Sequence, residues 1–482
     1  MAAIDLRADL STLIDAVISG DPNQLVATAR TYLYQDKAAD VLIGRIGMTA
    51  AHGDTDGHPT ITLDAASMLA RLAHWIPAPV DAQDTSKERV LPLLVQALKA
   101  AVPYARKGYE AQANAQYPRP LFPSELMDTG KSVNELMREA VTKNDPLLVE
   151  RTLLGLYGTG ADYRTMQVRA YEAISNTFHH NGHPLMFSVR GFQLLDAVEW
   201  GNQVPNIIHW LAPHLPVRPD AEEPSWTSTM RTFAAEPKHD LTVIRTRLSD
   251  PKDEMALSLL NIILSDMDTA SVCQGVYDAL VTNGASAKGV ASVISLAAAD
   301  VLQRVEENDH ETFISVAHGL LFASAVHTIF QQVRDVEVLN LLYTAASAIN
   351  ALHKEVSTEE GKTLQQASKH IGMMGGLLAI SLLETLETQL KAQDIAAATA
   401  TAQRYLKLGH DPRALFGTIG LATALVDVTT DQGHTLQIVQ AASDEFINWP
   451  RTLTNTNADA FVHIALRAAI IGKRDPIMAE LR

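Results

Sequence analysis

One cysteine, Cys273, occurs in 482 residues. That excludes disulfides, thiolate zinc sites and iron–sulfur clusters, and it leads us to expect a reducing, cytoplasmic setting. Aromatic residues make up only 6% of the chain, and with abundant Ala and Leu this favours helix over sheet. Long apolar runs are missing too: the longest, from Gly372 through Leu383, is too short to span a bilayer. The opening MAAIDLRADL carries two Asp and no apolar core, so neither a secretory signal nor a membrane partner is expected. Lys and Arg form no cluster, and the net charge is −16, which argues against binding a nucleic-acid backbone. The acidity serves solubility most simply.

Familiar catalytic signatures are equally scarce. There is no HExxH and no GxSxG. Gly361-Lys362-Thr363 ends like a phosphate-binding loop, but Val356 stands where its first Gly belongs. Gly372-Met373-Met374-Gly375-Gly376 lies in an apolar helical run and reads as close helix packing. Glu236-x-x-His239 is interrupted by Pro237 and cannot present two ligands on a helical face.

What the chain does have is a repeat of about 125 residues. His58, His183, His310 and His434 are separated by 125, 127 and 124 positions. Each follows a polar loop and opens an apolar-periodic run, as Gly57-His58-Pro59, Gly182-His183-Pro184, Asp309-His310-Glu311 and Gly433-His434-Thr435. Seven residues on stand Ala65, Arg190, Ala317 and Ala441; seventeen on stand Trp75, Trp200, His327 and Arg451. Apolar residues recur at helical spacing over 27–33, 41–51, 147–156, 166–174, 270–281, 290–305, 395–406 and 414–426. Asp21-Pro22 and Asp145-Pro146 mark helix starts. The expected fold is therefore all-α, with four helical repeat units at 1–125, 126–239, 240–370 and 371–482, forming a solenoid or a closed double bundle. Proline-bearing connectors are expected at 103–123 and 213–237, with a weaker break at 353–364.

A histidine at a helix start beside Gly tends to stay neutral, with one nitrogen free to accept a hydrogen bond or a metal. His58, His183, His310 and His434 are thus candidate metal ligands. Nearby Asp54 and Asp56, His179 and His180, Glu307 and Asp309, and Asp427 and Asp431 are able to complete a set for non-haem iron, manganese or zinc. The alternative is a copied structural cap. Function in a repeated assembly should surface where one unit breaks the pattern. Arg190 stands where the other units have Ala, and His318 falls eight residues after His310, where they have Ala66, Gly191 and Ala442. We take Arg190 and His318 as candidate catalytic residues lining a cavity, Arg190 for a carboxylate or phenolate and His318 for proton transfer.

The Gly-His-Pro entries, the helix opening GHPLMF and the DTDGH segment resemble the questin oxidase-like group of all-helical repeat proteins. That resemblance implies an oxidoreductase, a monooxygenase acting on a cyclic organic substrate, with NADPH or a metal as cofactor and the four repeat histidines at the family-type positions. Without it, the residues leave three readings open: an oxidoreductase, a non-catalytic scaffold for a protein partner, or a carrier of a small molecule.

Overall fold

The computed structural model describes residues 6–35, 37–77, 85–113, 117–198, 203–218, 221–248, 252–358, 376–453 and 456–480. They form helix after helix, with a single isolated bridge between Val426 and Arg474 and no strand among the described residues. The protein is all-α. Helix starts follow the local chemistry: Asp21 accepts from the Asn23 amide and Asp145 from that of Leu148, each with Pro next in line.

Four helices, His58–Ala73, His183–Leu194, His310–Gln332 and His434–Ile447, pack side by side in a closed cycle, the fourth returning to the first. We call them the inner helices. Others flank them from outside, among them Ala39–Ala51 and Thr85–Ala113 beside the first, Tyr163–Ile174 beside the second, Ala287–Gln303 beside the third, and Pro412–Thr423 and Asp459–Ile471 beside the fourth. Because the inner helices are surrounded, they are buried on nearly every side, and small residues such as Ala65, Ala66, Ala441 and Ala442 let their backbones approach. His310–Gln332 is the one described helix long and apolar enough to cross a membrane, and 78% of its apolar window is buried inside the protein.

The joints before three inner helices share one device. Gly57, Gly182 and Gly433 have φ of 97°, 80° and 75°, in the region that glycine alone enters freely. A Cβ on each would collide with a side chain of the neighbouring inner helix: Phe187 at Gly57, Phe322 at Gly182, and Thr62 at Gly433. Phe187 and Thr62 lie four residues past the histidine that begins their helices. Phe322 lies four past His318, not His310, so the third helix sits in the cycle shifted by eight residues.

That shift has a local cause. Asp309 takes the place of the glycine, with an extended φ of −88°, and its carboxylate caps the helix by accepting from the Thr312 amide at 3.0 Å. Helix therefore starts two turns early, and His310 lies out on that extension. The connector expected from residue 103 is also corrected: Thr85–Ala113 runs straight through Pro92 and Pro103. Leu94, Leu98, Ala101 and Ala105 stay buried along it, and burying that stripe outweighs the roughly 3 kcal/mol that an internal proline costs. Trp200, 359–364 of the expected weak break, and all but Gly376 of the glycine–methionine motif lie outside the described residues.

Candidate metal centre

At one end of the inner cycle four imidazoles meet: His58, His183, His318 and His434. One nitrogen from each lies within 4.8 Å of the other three. The rings follow one another around the cycle, with centroid separations of 4.6 Å from His58 to His183, 5.0 Å to His318, 4.7 Å to His434 and 5.0 Å back to His58. Two edges are close nitrogen contacts: Nε2 of His58 and His183 are 2.8 Å apart, and those of His434 and His318 are 3.1 Å apart.

Each ring is fixed through its other nitrogen. His183 Nδ1 meets the carbonyl of His180, and His434 Nδ1 that of Asp431. His318 Nδ1 meets the carbonyls of Ile314 and Ser315 at 3.0 and 3.1 Å, and His58 Nδ1 meets the Asp56 carboxylate at 2.8 Å. Carbonyls and carboxylates only accept, so all four Nδ1 atoms carry a proton and donate it. In neutral rings the four Nε2 atoms then have bare lone pairs. Two lone pairs at 2.8 or 3.1 Å repel unless a cation lies between them.

Protonation of the rings is the competing answer, and burial opposes it. Desolvation, reinforced by the neighbouring imidazoles, pulls His434 down to about 3 and pushes His183 far below the usual histidine value; desolvation also lowers His318. The helix N-termini at His183 and His434 further disfavour an imidazolium there. A metal ion between the four nitrogens would answer the repulsion in both contacts at once. With no two of these nitrogens more than 4.8 Å apart, one ion between them is within or slightly beyond a metal–imidazole bond length of about 2.0–2.1 Å from all four.

The carboxylates nearby play a different part from the one expected of them. Asp54 accepts from the Gly57 and Thr60 amides at 2.8 and 3.1 Å, and Asp431 from the Gly433 and Thr435 amides at 3.0 Å each. They cap the first and fourth inner helices and leave the imidazoles in place as the donor set. Asp56 orients His58 from behind, as second-layer carboxylates do for metal-bound histidines.

Of the histidines expected as ligands, then, His58, His183 and His434 converge. His310 does not; its place is taken by His318, which was expected as a proton-transfer group. His310 Nε2 is buried with no partner among the described residues, and its ring lies near Asp431. Arg190 is not at the ring either. Two turns along its helix from His183, it is buried against Gln193 at 2.8 Å and Asp444 at 3.3 Å. This deeper layer also holds Asp64, which burial raises to about 7 against the pull of Arg190, and the buried pair of His327 and Glu445 at 2.8 Å. Beside the His58–His183 edge of the ring lies a cavity of about 250 Å³, bounded by those two residues with Phe187, His179, His214 and Arg218 among others. Nothing in the spacing singled out His214 or Arg218, which come from the stretch expected as a connector.

No known protein family, curated protein or solved structure matches the chain.

Proposed function

We propose that the protein binds one first-row transition-metal ion through Nε2 of His58, His183, His318 and His434, and uses it at the floor of the adjoining cavity. The observation that carries this is the set of four Nε2 lone pairs turned on one another while every Nδ1 is committed as a donor. Imidazole suits zinc, copper, iron and nickel, whereas manganese prefers oxygen ligands. An outside ligand would approach the ion from the cavity, past His58 and His183.

In the same reading the inner helices are four repeat units around a pseudo-fourfold axis, a closed bundle and not an open solenoid. A redox-active ion there supports an oxidoreductase role, the activity implied by the resemblance to the questin oxidase-like group. In that role the ion would supply the electron-transfer chemistry, and the imidazoles would keep it in place from fixed Nδ1 anchors.

Metal analysis of the purified protein, with titration of the stripped protein by copper(II), nickel(II), zinc(II) and iron(II), tests the proposal. One ion per chain in the parent and none in His434→Ala is the expected outcome. Less than a tenth of an ion per chain at saturating metal would overturn it.

A further inference from the structure

The cavity beside the ring has walls of two kinds. Phe187, Pro184 and Pro216 are apolar, while Arg218 is an exposed cation. Two further wall residues, His179 and His214, are almost fully buried, and each keeps a buried nitrogen without a partner among the described residues: Nδ1 of His179 and Nε2 of His214. Unpaired buried polar atoms are uncommon, because each forfeits its bond to water. A hydroxyl both donates and accepts, so it can satisfy either nitrogen whichever tautomer the ring holds.

The adjoining backbone is held under strain at this wall: His180 and Asn181 take φ of 46° and 53°, in the left-handed region that side chains rarely enter. The first two inner helices begin at the cavity, with His58 and His183, and turn the positive ends of their dipoles toward it. Among the described residues Asp56 is the one carboxylate on the wall, and it is engaged by His58.

We propose that the cavity binds a small hydroxycarboxylate, resting on the metal reading above. A carboxylate is drawn by Arg218, the helix N-termini and the ion. A hydroxyl meets the waiting Nδ1 of His179, and an organic body lies against Phe187 and the two prolines. The space of about 250 Å³ suits a small ring or a short chain.

The test uses the metal-loaded full chain and paired acids, glycolate against acetate and 3-hydroxybenzoate against benzoate, followed through the ion's absorption or magnetic-resonance spectrum. In at least one pair the hydroxylated member should saturate the spectral change with a Kd at least tenfold lower than its partner's. Arg218→Gln, at an exposed position where folding is not at stake, should weaken both members of that pair about tenfold with metal content unchanged. His179→Phe should remove the preference for the hydroxyl and spare the carboxylate. If the chain holds one ion but no acid perturbs its spectrum, or if Arg218→Gln binds as the parent does, the ligand assignment is overturned and the metal reading stands. If the chain holds no ion, the metal reading falls and takes this assignment with it.

Discussion

At the scale of single residues, the centre is a matter of which nitrogen carries the proton. His58, His183 and His434 were legible in the sequence, because their even spacing and the glycine before each marked them as copies of one joint. His318 was legible only as a departure from the repeat, and its place in the ring was not. The spacing pointed to His310, and only the absence of a glycine at 309 hinted that the third helix begins elsewhere. The two positions are therefore separable by experiment. His318→Ala should lose the ion, whereas His310→Ala should retain one ion per chain, with metal content of the purified variants as the measurement. The reverse pattern would remove the ring as described. Arg190 was legible as an exception, but its partner Asp444 lies 254 residues away and no local pattern announces it. Breaking a buried ion pair from one side typically costs about 3–5 kcal/mol, since the remaining charge is left in a poor medium. Arg190→Ala should accordingly lower the denaturant midpoint substantially while metal stoichiometry stays at one. Unchanged stability would mean that the buried Arg190 contributes no net energy.

At the scale of elements, helices were the easy part. Runs of apolar residues at three and four spacing, with Asp–Pro starts, correspond to Pro22–Tyr34, Pro146–Gly158, Ala287–Gln303 and Ile395–Lys407. The connector expected from residue 103 failed because local proline chemistry was weighed without the buried stripe that overrides it. How the inner helices close on one another depends on contacts between residues far apart, and those have no periodic signature. Thr62 over Gly433, 371 positions on, is one of the contacts that join the fourth helix to the first. A methyl group at residue 433 would meet Thr62 in a backbone region already hostile to side chains. We expect Gly433→Ala to destabilise the fold by about 1–3 kcal/mol, in the range of an overpacked core, and to lower metal affinity by displacing His434. Equilibrium unfolding of the stripped protein and metal titration together check this. A variant as stable as the parent would mean that the joint is not tightly packed.

At the scale of the whole molecule, burying so many histidines ties stability to pH. Desolvation lowers His179 and His214 to about 4 and His434 to about 3, and it lowers His318 as well. A folded-state value below the unfolded one means that, as pH falls through 6.5, the unfolded chain takes up protons that the folded chain refuses. Stability is then lost with acid, by up to about 1.4 kcal/mol per pH unit for each such group, until the folded values are reached. Asp64 acts in the opposite direction. Raised to about 7 by burial, it keeps its proton when folded and releases it when unfolded, so it favours the fold at low pH and loses that contribution as pH rises from 4 toward 7. Burial raises Asp431, Asp444 and Glu172 in the same sense as Asp64. With His183, His353 and His463 also lowered, the histidines outnumber these carboxylates, and the stripped protein should lose stability steadily from pH 6.5 down to about 4. Bound metal adds stability as RT ln(1 + [M]/Kd) and needs neutral imidazoles, so its advantage should be greatest near neutrality and shrink across the same window. Denaturant midpoints of stripped and loaded protein between pH 4 and 8 measure both effects. A stripped protein equally stable at pH 4.5 and 7, with the loaded curve parallel to it, would show that these imidazoles are not neutral donors held in a buried ring.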